Sequence, residues 1–195
     1  MDPSQLDIYD LLEQRRLVAD IGQEEISTDS RDTVMALQMY IREDHVQLLS
    51  GYESGRMVLR IISGDKADTV WVSQRHSSPV LSVSARPDMN LLFSVCTDGV
   101  VVKSPLFEQD PAATKQISTK SGLEQVCVRD DAKIIATAGW DNRIRVFSAK
   151  SLKPLAVLSF HRESMYAVAF ASLPSDHHYL VGGSKDHRIS IWNIY

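Results

Sequence analysis

The chain alternates short apolar runs with short polar turns, and no stretch holds a 3.6-residue apolar period over a dozen residues. Four polar turns share one setting: GYES around Glu53, CTDG around Asp98, GWDN around Asp141 and SKDH around Asp186. An apolar run precedes each (VQLLSG, NLLFSV, KIIATAG, YLVGGS) and another follows (RMVLRII, VVVKS, RIRVF, RISIW). Two such runs joined by an acidic or glycine-containing turn predict a β-hairpin. The four acidic residues are 45, 43 and 45 positions apart. Upstream of each hairpin a further strand begins, at Val34, Val80, Leu123 and Met165, spaced 46, 43 and 42. Downstream of the first three comes a fourth run: ADTVWVS, TKQIST and PLAVLSF.

Four antiparallel strands every 40–45 residues is the signature of a propeller blade. The expected fold is all-β, a partial β-propeller of about four blades in one domain, 1–195. Blades are expected at 34–77, 78–120 and 121–162, with an incomplete last blade at 163–195. The segment LDIYDL, a turn at Glu13–Gln14 and RRLVADI read as the end of a preceding blade, 5–22.

Composition adds limits. The chain has 195 residues, 44% apolar and 24% charged, with a formal net charge of −4. That charge gives no reason to expect direct nucleic-acid binding or an anionic membrane. No apolar run approaches the roughly 18–20 residues of a membrane span. Cys96 and Cys127 both sit in strand-like runs and read as buried reduced thiols, which fits a nuclear or cytosolic setting.

GWDNRIRVF and GSKDHRISIW resemble the WD40 motif, in which a small residue, an aspartate turn and a tryptophan-ended strand recur. The pattern covers 34–195, strong in the last two units and degenerate before them. The resemblance implies a structural tetrad in the last unit: His161, Ser184, Asp186 and Trp192. A buried aspartate needs donors, and an indole N–H needs an acceptor. The turn acids Glu53, Asp98 and Asp141 mark the other units. These depart from the motif: Phe147 and Ile61 stand where an aromatic or tryptophan is expected, and Val102–Lys103 replace it after Asp98.

No catalytic constellation is expected. His161, Ser184 and Asp186 could suggest a hydrolase triad, but the repeat already accounts for them and no nucleophile-elbow sequence surrounds Ser184. His177–His178 lie in a polar segment, SLPSDHHY, and read as an exposed loop; no metal or other cofactor is expected. Arg143, Arg145, Lys185 and Arg188 follow the turns and read either as a solvated rim or as a contact for an acidic partner. Trp140, at a turn, either packs on a neighbouring blade or is a partner hot spot.

The strand count predicts an incomplete ring, since WD40 rings usually close and closure protects strand edges. Three arrangements would answer this: the chain is the C-terminal part of a longer protein, two copies or a partner complete the ring, or four blades form a small open array. The first is the expectation. If the chain is truly this short, self-association through its edge is expected.

The phrases IATAGWDNRIRVF, SLKPLAVLSFH and GGSKDHRISIWNIY are more specific than a generic repeat. With LLSGYESGRMVLRII and LDIYDL–RRLVADIG they closely resemble the ASTRA-associated protein 1 family, whose animal relatives are called guanine nucleotide-binding protein beta-subunit-like protein 1. The resemblance implies a non-enzymatic scaffold for protein partners, a component of the ASTRA assembly. It implies work with the Tel2–Tti1–Tti2 co-chaperone in maturing phosphatidylinositol-3-kinase-related kinases, a link to chromatin remodelling, and a place in the nucleus and also the cytoplasm. The alternatives are a propeller hydrolase or metal-dependent enzyme, and a reader of peptides or histone tails.

Overall fold

The computed structural model describes residues 6–10, 15–21, 32–64, 66–108, 110–173 and 177–194, the first two segments as backbone. The chain forms two compact units, residues 1–80 and 81–195.

In the first unit β1 (Leu6–Asp10) pairs antiparallel with β2 (Arg15–Ile21), with Asp10 opposite Arg15. The turn expected at Glu13–Gln14 lies outside the described residues. Next come β3 (Val34–Arg42), β4 (His45–Tyr52), β5 (Arg56–Ser63) and β6 (Lys66–Gln74), hydrogen-bonded in that order. The β3–β4 connection puts Glu43 and Asp44 at φ 52° and 60°, the left-handed pair that a tight hairpin turn requires. The two middle strands carry the buried side chains Leu49, Met57 and Leu59.

The second unit holds three sheets. β7 (Val80–Arg86), β8 (Leu91–Cys96), β9 (Val100–Pro105) and β10 (Lys115–Ser118) form the first. β11 (Leu123–Val128), β12 (Ile134–Gly139), β13 (Ile144–Ser148) and β14 (Pro154–Leu158) form the second. β15 (Met165–Ser172), β16 (His178–Ser184) and β17 (Ile189–Ile194) form a third sheet of three strands. Each sheet is a simple meander, which the short turns of the sequence allow.

Two apolar layers join these sheets. Phe93, Val95 and Val101 of the first pack with Leu123, Val126, Ile135 and Phe147 of the second. Ala136, Ala138, Ile144 and Val146 of the second pack with Met165, Val168 and Leu180 of the third. Small residues in β12 follow from its position: all six are buried, while most of β14 is open to solvent. Polar staples tie the first strands together. The hydroxyls of Ser82 and Ser84 accept from the N–H groups of Val126 and Val128, both at 3.2 Å, and Gln125 Oε1 accepts from Val168 N–H at 2.7 Å. Each gives a backbone donor between sheets a partner it would otherwise lack.

Candidate interaction surface and the polar sets of the turns

The hairpin turns hold most of the charged chemistry, and their left-handed residue fixes their register. Gly99, Asn142 and His187 have φ of 81°, 62° and 63°, each directly after its aspartate. In the first unit the matching residue is Gly55, at φ 85°, and it follows Ser54. Glu53 therefore stands one place before the turn-acid position and is exposed. This corrects the expectation from spacing alone: the carboxylate comes instead from Asp32, which accepts from Ser54 N–H at 2.9 Å and Ser54 Oγ at 2.6 Å and pairs with Arg56 at 3.3 Å.

In the last sheet the structure brings together His161, Asp186 and Trp192. His161 Nδ1 faces the Asp186 carboxylate at 3.1 Å. The hydroxyl that completes the set is Ser190: its Oγ is 2.9 Å from His161 Nε2 and accepts from the Trp192 indole N–H at 3.0 Å. Ser184, expected in that place, sits beside it instead. Its Oγ donates to Glu163 O and accepts from Asp186 N–H, bracing the turn. The reason lies in the strand register. Gly182 pairs with Ser190 across the β16–β17 ladder. A Cβ on Gly182 would come 2.4 Å from Ile144 Cδ1 and 3.2 Å from Ser190 Oγ, so the side-chain room there belongs to Ser190.

Ser190, His161 and Asp186 have the connectivity of a hydrolase triad, yet not its access. Ser190 and His161 are 7% and 5% exposed, and the serine oxygen already takes the indole N–H. The arrangement anchors a turn. Burial alone would raise the Asp186 carboxyl; the N–H of Arg162, the His161 imidazole, the N–H of Arg188 and the Ser184 hydroxyl outweigh it and hold it at about 2.

The other turns use other partners. Asp141 takes a two-pronged contact from Arg145, at 2.9 and 2.5 Å, and this contact lowers its carboxyl below the usual range. Arg145, expected as a partner contact, is thus tied down, its side chain 12% exposed. Asp98 accepts from the Cys96 thiol and from Val100 N–H. Thr137, equivalent to Gly182, has a buried hydroxyl with no hydrogen-bond partner.

The remaining candidates are open to solvent. Trp140 is 41% exposed; its indole donates to Glu124 Oε2 at 2.8 Å and its ring lies against Gly122, where a Cβ would come 2.2 Å from it. Ser164 Oγ donates to the Trp140 carbonyl, so the turn also touches the next sheet. Arg143 is half-exposed, 3.8 Å from Asp141, and Lys185 and Arg188 are exposed. His178, read as an exposed loop residue, starts β16 half-buried with Nδ1 2.9 Å from Ser172 Oγ.

The family model described as WD domain, G-beta repeat matches residues 67–102, 114–148 and 152–193, more than half of the chain. The chain belongs to the WD40-repeat family. Each matched segment begins in or just before the fourth strand of one sheet and ends in the third strand of the next, so the sequence repeat of a WD40 protein straddles two blades. Among curated proteins, this WD40 chain is 30% identical to "ASTRA-associated protein 1" of Aspergillus niger over 97% of its length and 59% of the relative's. It is 34% identical to the Schizosaccharomyces pombe protein of the same name, over 93% of this chain and 53% of that one. To mouse "Guanine nucleotide-binding protein subunit beta-like protein 1" it is 40% identical, over 76% and 44%. The chain spans about half the length of the curated relatives it matches. Among solved structures it superposes on a chain of the "Crystal Structure of Mitotic Checkpoint Complex" with a TM-score of 0.77 at 18% identity, covering 97% of this chain and 55% of that one. On the computationally designed Ika8 protein the TM-score is 0.76 at 16% identity, covering 99% and 54%. These likenesses concern the fold alone.

Proposed function

We propose that this WD40 chain is a non-enzymatic scaffold for protein partners, acting in the ASTRA assembly. On this reading it works with the Tel2–Tti1–Tti2 co-chaperone in maturing phosphatidylinositol-3-kinase-related kinases, is tied to chromatin remodelling, and resides in the nucleus and also the cytoplasm. The observation that carries the reading is 30% identity to a protein named ASTRA-associated protein 1 across 97% of the chain. The site geometry supports the non-enzymatic part: the serine–histidine–aspartate chain found among the described residues is closed off by burial and by the Trp192 indole. Trp140 with Arg143, Lys185 and Arg188 supplies an exposed aromatic and cations on adjoining turns, residue types common at partner hot spots.

The test is affinity purification of the tagged protein from its own cells, followed by mass spectrometry. Recovery of the co-chaperone subunits is expected. A purification that returns none of them, repeated at low salt, would overturn the reading.

A further inference from the structure

Between the outer strands of the first two sheets of the second unit lies a groove of about 220 Å³, with Ile117 on one side and Phe147, Ala156 and Val157 on the other. It lies where the repeat is broken at two positions. Phe147 corresponds to Trp192 of the last sheet, whose larger indole is held by Ser190. The hydroxyl that could hold an indole here has been replaced by Arg145, which turns away to Asp141. The volume falls below the 300–1,000 Å³ of ordinary small-molecule sites and suits a single side chain.

Cations stand at both ends of the groove. Lys120 lines it directly, and Arg145, which also lines it, has its charge paired with Asp141. In the other direction along the same sheet face, two residues from Ile117, Lys115 lies directly opposite Lys103 on the β9–β10 ladder. Like charges so placed repel. The Lys103 ammonium donates to the Lys150 carbonyl at 2.8 Å, which brings a third lysine to the same spot. Burial first, and then Lys115 and Lys150, push the Lys103 ammonium below its ordinary range. Among the described residues no carboxylate pairs with Lys115 or Lys150. On a chain of net charge −4, this is a local concentration of positive charge around an apolar slot.

We propose that this groove docks an extended acidic segment of a partner protein, with one aromatic side chain of that segment filling the place that Trp192 fills in the last sheet. The carboxylates flanking the aromatic residue meet Lys115, Lys103 and Lys150 at one end and Lys120 at the other. The proposal rests on the scaffold reading and specifies one contact of it.

The probe is a fluorescein-labelled peptide with one tryptophan between two pairs of acidic residues, titrated with the full chain and read by fluorescence anisotropy. Binding that weakens as salt rises is expected. Replacing the peptide's tryptophan by alanine, or its acids by lysines, is expected to lower affinity at least about tenfold. Phe147→Trp fills the groove and is expected to do the same. Because Phe147 is buried, the exposed pair Lys115→Glu with Lys150→Glu provides a second variant that leaves the core untouched. No binding to the wild-type chain, or equal binding by both variants, overturns the groove. The scaffold reading has its own test: a wild-type bait that recovers no partner defeats that reading whatever the peptide does.

Discussion

Ser190 stands across the ladder from Gly182, and its hydroxyl occupies the room that the glycine leaves open. In the preceding sheet the same two positions are Thr137 and Arg145, also paired, and there the hydroxyl is on the second strand and the third-strand side chain is long. One exchange of small for large between neighbouring strands decides which strand carries the short hydroxyl side chain, and in the last sheet that residue bridges the imidazole and the indole. Ser190→Ala would leave His161 Nε2 and the Trp192 N–H without a partner in a buried site. The expected cost is about 1–3 kcal/mol in urea denaturation. Ser184→Ala, which only loosens the turn, is expected to cost less than half of that.

Thr137 gives the opposite expectation. Its hydroxyl is buried and unpartnered, so folding removes it from water without compensation. Thr137→Val keeps the shape and removes the polar atom. Stability is expected to stay level or rise by up to about 1 kcal/mol, a direction that few substitutions at a fully buried position share.

The regular part of this fold is visible in the sequence because its causes are local. Short alternating runs, turn acids and a period near 45 predict the hairpins, and the sheets fall where those runs lie. Register at single residues is another matter. Glu53 sits at the right spacing from Asp98, but only the left-handed backbone at Gly55 shows that Ser54 is the turn position. The resemblance to the WD40 motif points to Ser184 as the tetrad serine, whereas the structure uses Ser190. Laying GGSKDHRISIW on TAGWDNRIRVF places Gly182 under Thr137 and exposes the missing hydroxyl, which is the signal that leads to Ser190. Asp32 left no such trace, since its contact with Ser54 spans 22 residues of loop and strand.

The Asp186 carboxyl sets a pH window. It ionises at about 2 in the folded chain, against about 3.9 when unfolded, because backbone N–H groups and His161 stabilise the charged form. A carboxyl lowered by folding stabilises the fold fully above its unfolded value and loses that contribution as pH falls through its folded one. Asp131, held at about 2 by Arg129 first and then by the N–H of Lys133, acts in the same window and direction. Thermal melting of the wild-type chain is expected to fall between about pH 4 and pH 2, and Asp186→Asn is expected to flatten part of that slope. A wild-type melting temperature unchanged across that interval would contradict the assignment.

The two thiols should be inert in the native chain. Desolvation pushes both Cys96 and Cys127 up to about 12, so almost no thiolate exists near neutrality. Alkylation by iodoacetamide at pH 8 is expected to be at least about a hundredfold slower than in urea-unfolded protein. Cys96 is buried and Cys127, expected to be buried as well, is half-buried; mass spectrometry of quenched samples would measure the labelling, and a fast reaction at either native cysteine would contradict the raised values.

Ile144 and Ile189 occupy the same place in successive sheets, each third residue after its turn aspartate, yet their surroundings differ completely. Ile144 is 1% exposed, packed with Met165 and Leu180 of the next sheet, whereas Ile189 is 73% exposed. Ile191, the counterpart of Val146, repeats the contrast at 68% against 3%. The apolar pattern is therefore written identically where a sheet covers it and where none in the second unit does. Ile144→Ala removes packed methyl groups from a layer that cannot fully collapse, and should cost about 2–4 kcal/mol. Ile189→Ala removes atoms that already face water, and should cost under about 0.5 kcal/mol in the isolated chain. Equal losses at the two positions would mean that Ile189 is covered in solution, and the comparison of their urea midpoints at low and high protein concentration would show whether a second copy does the covering.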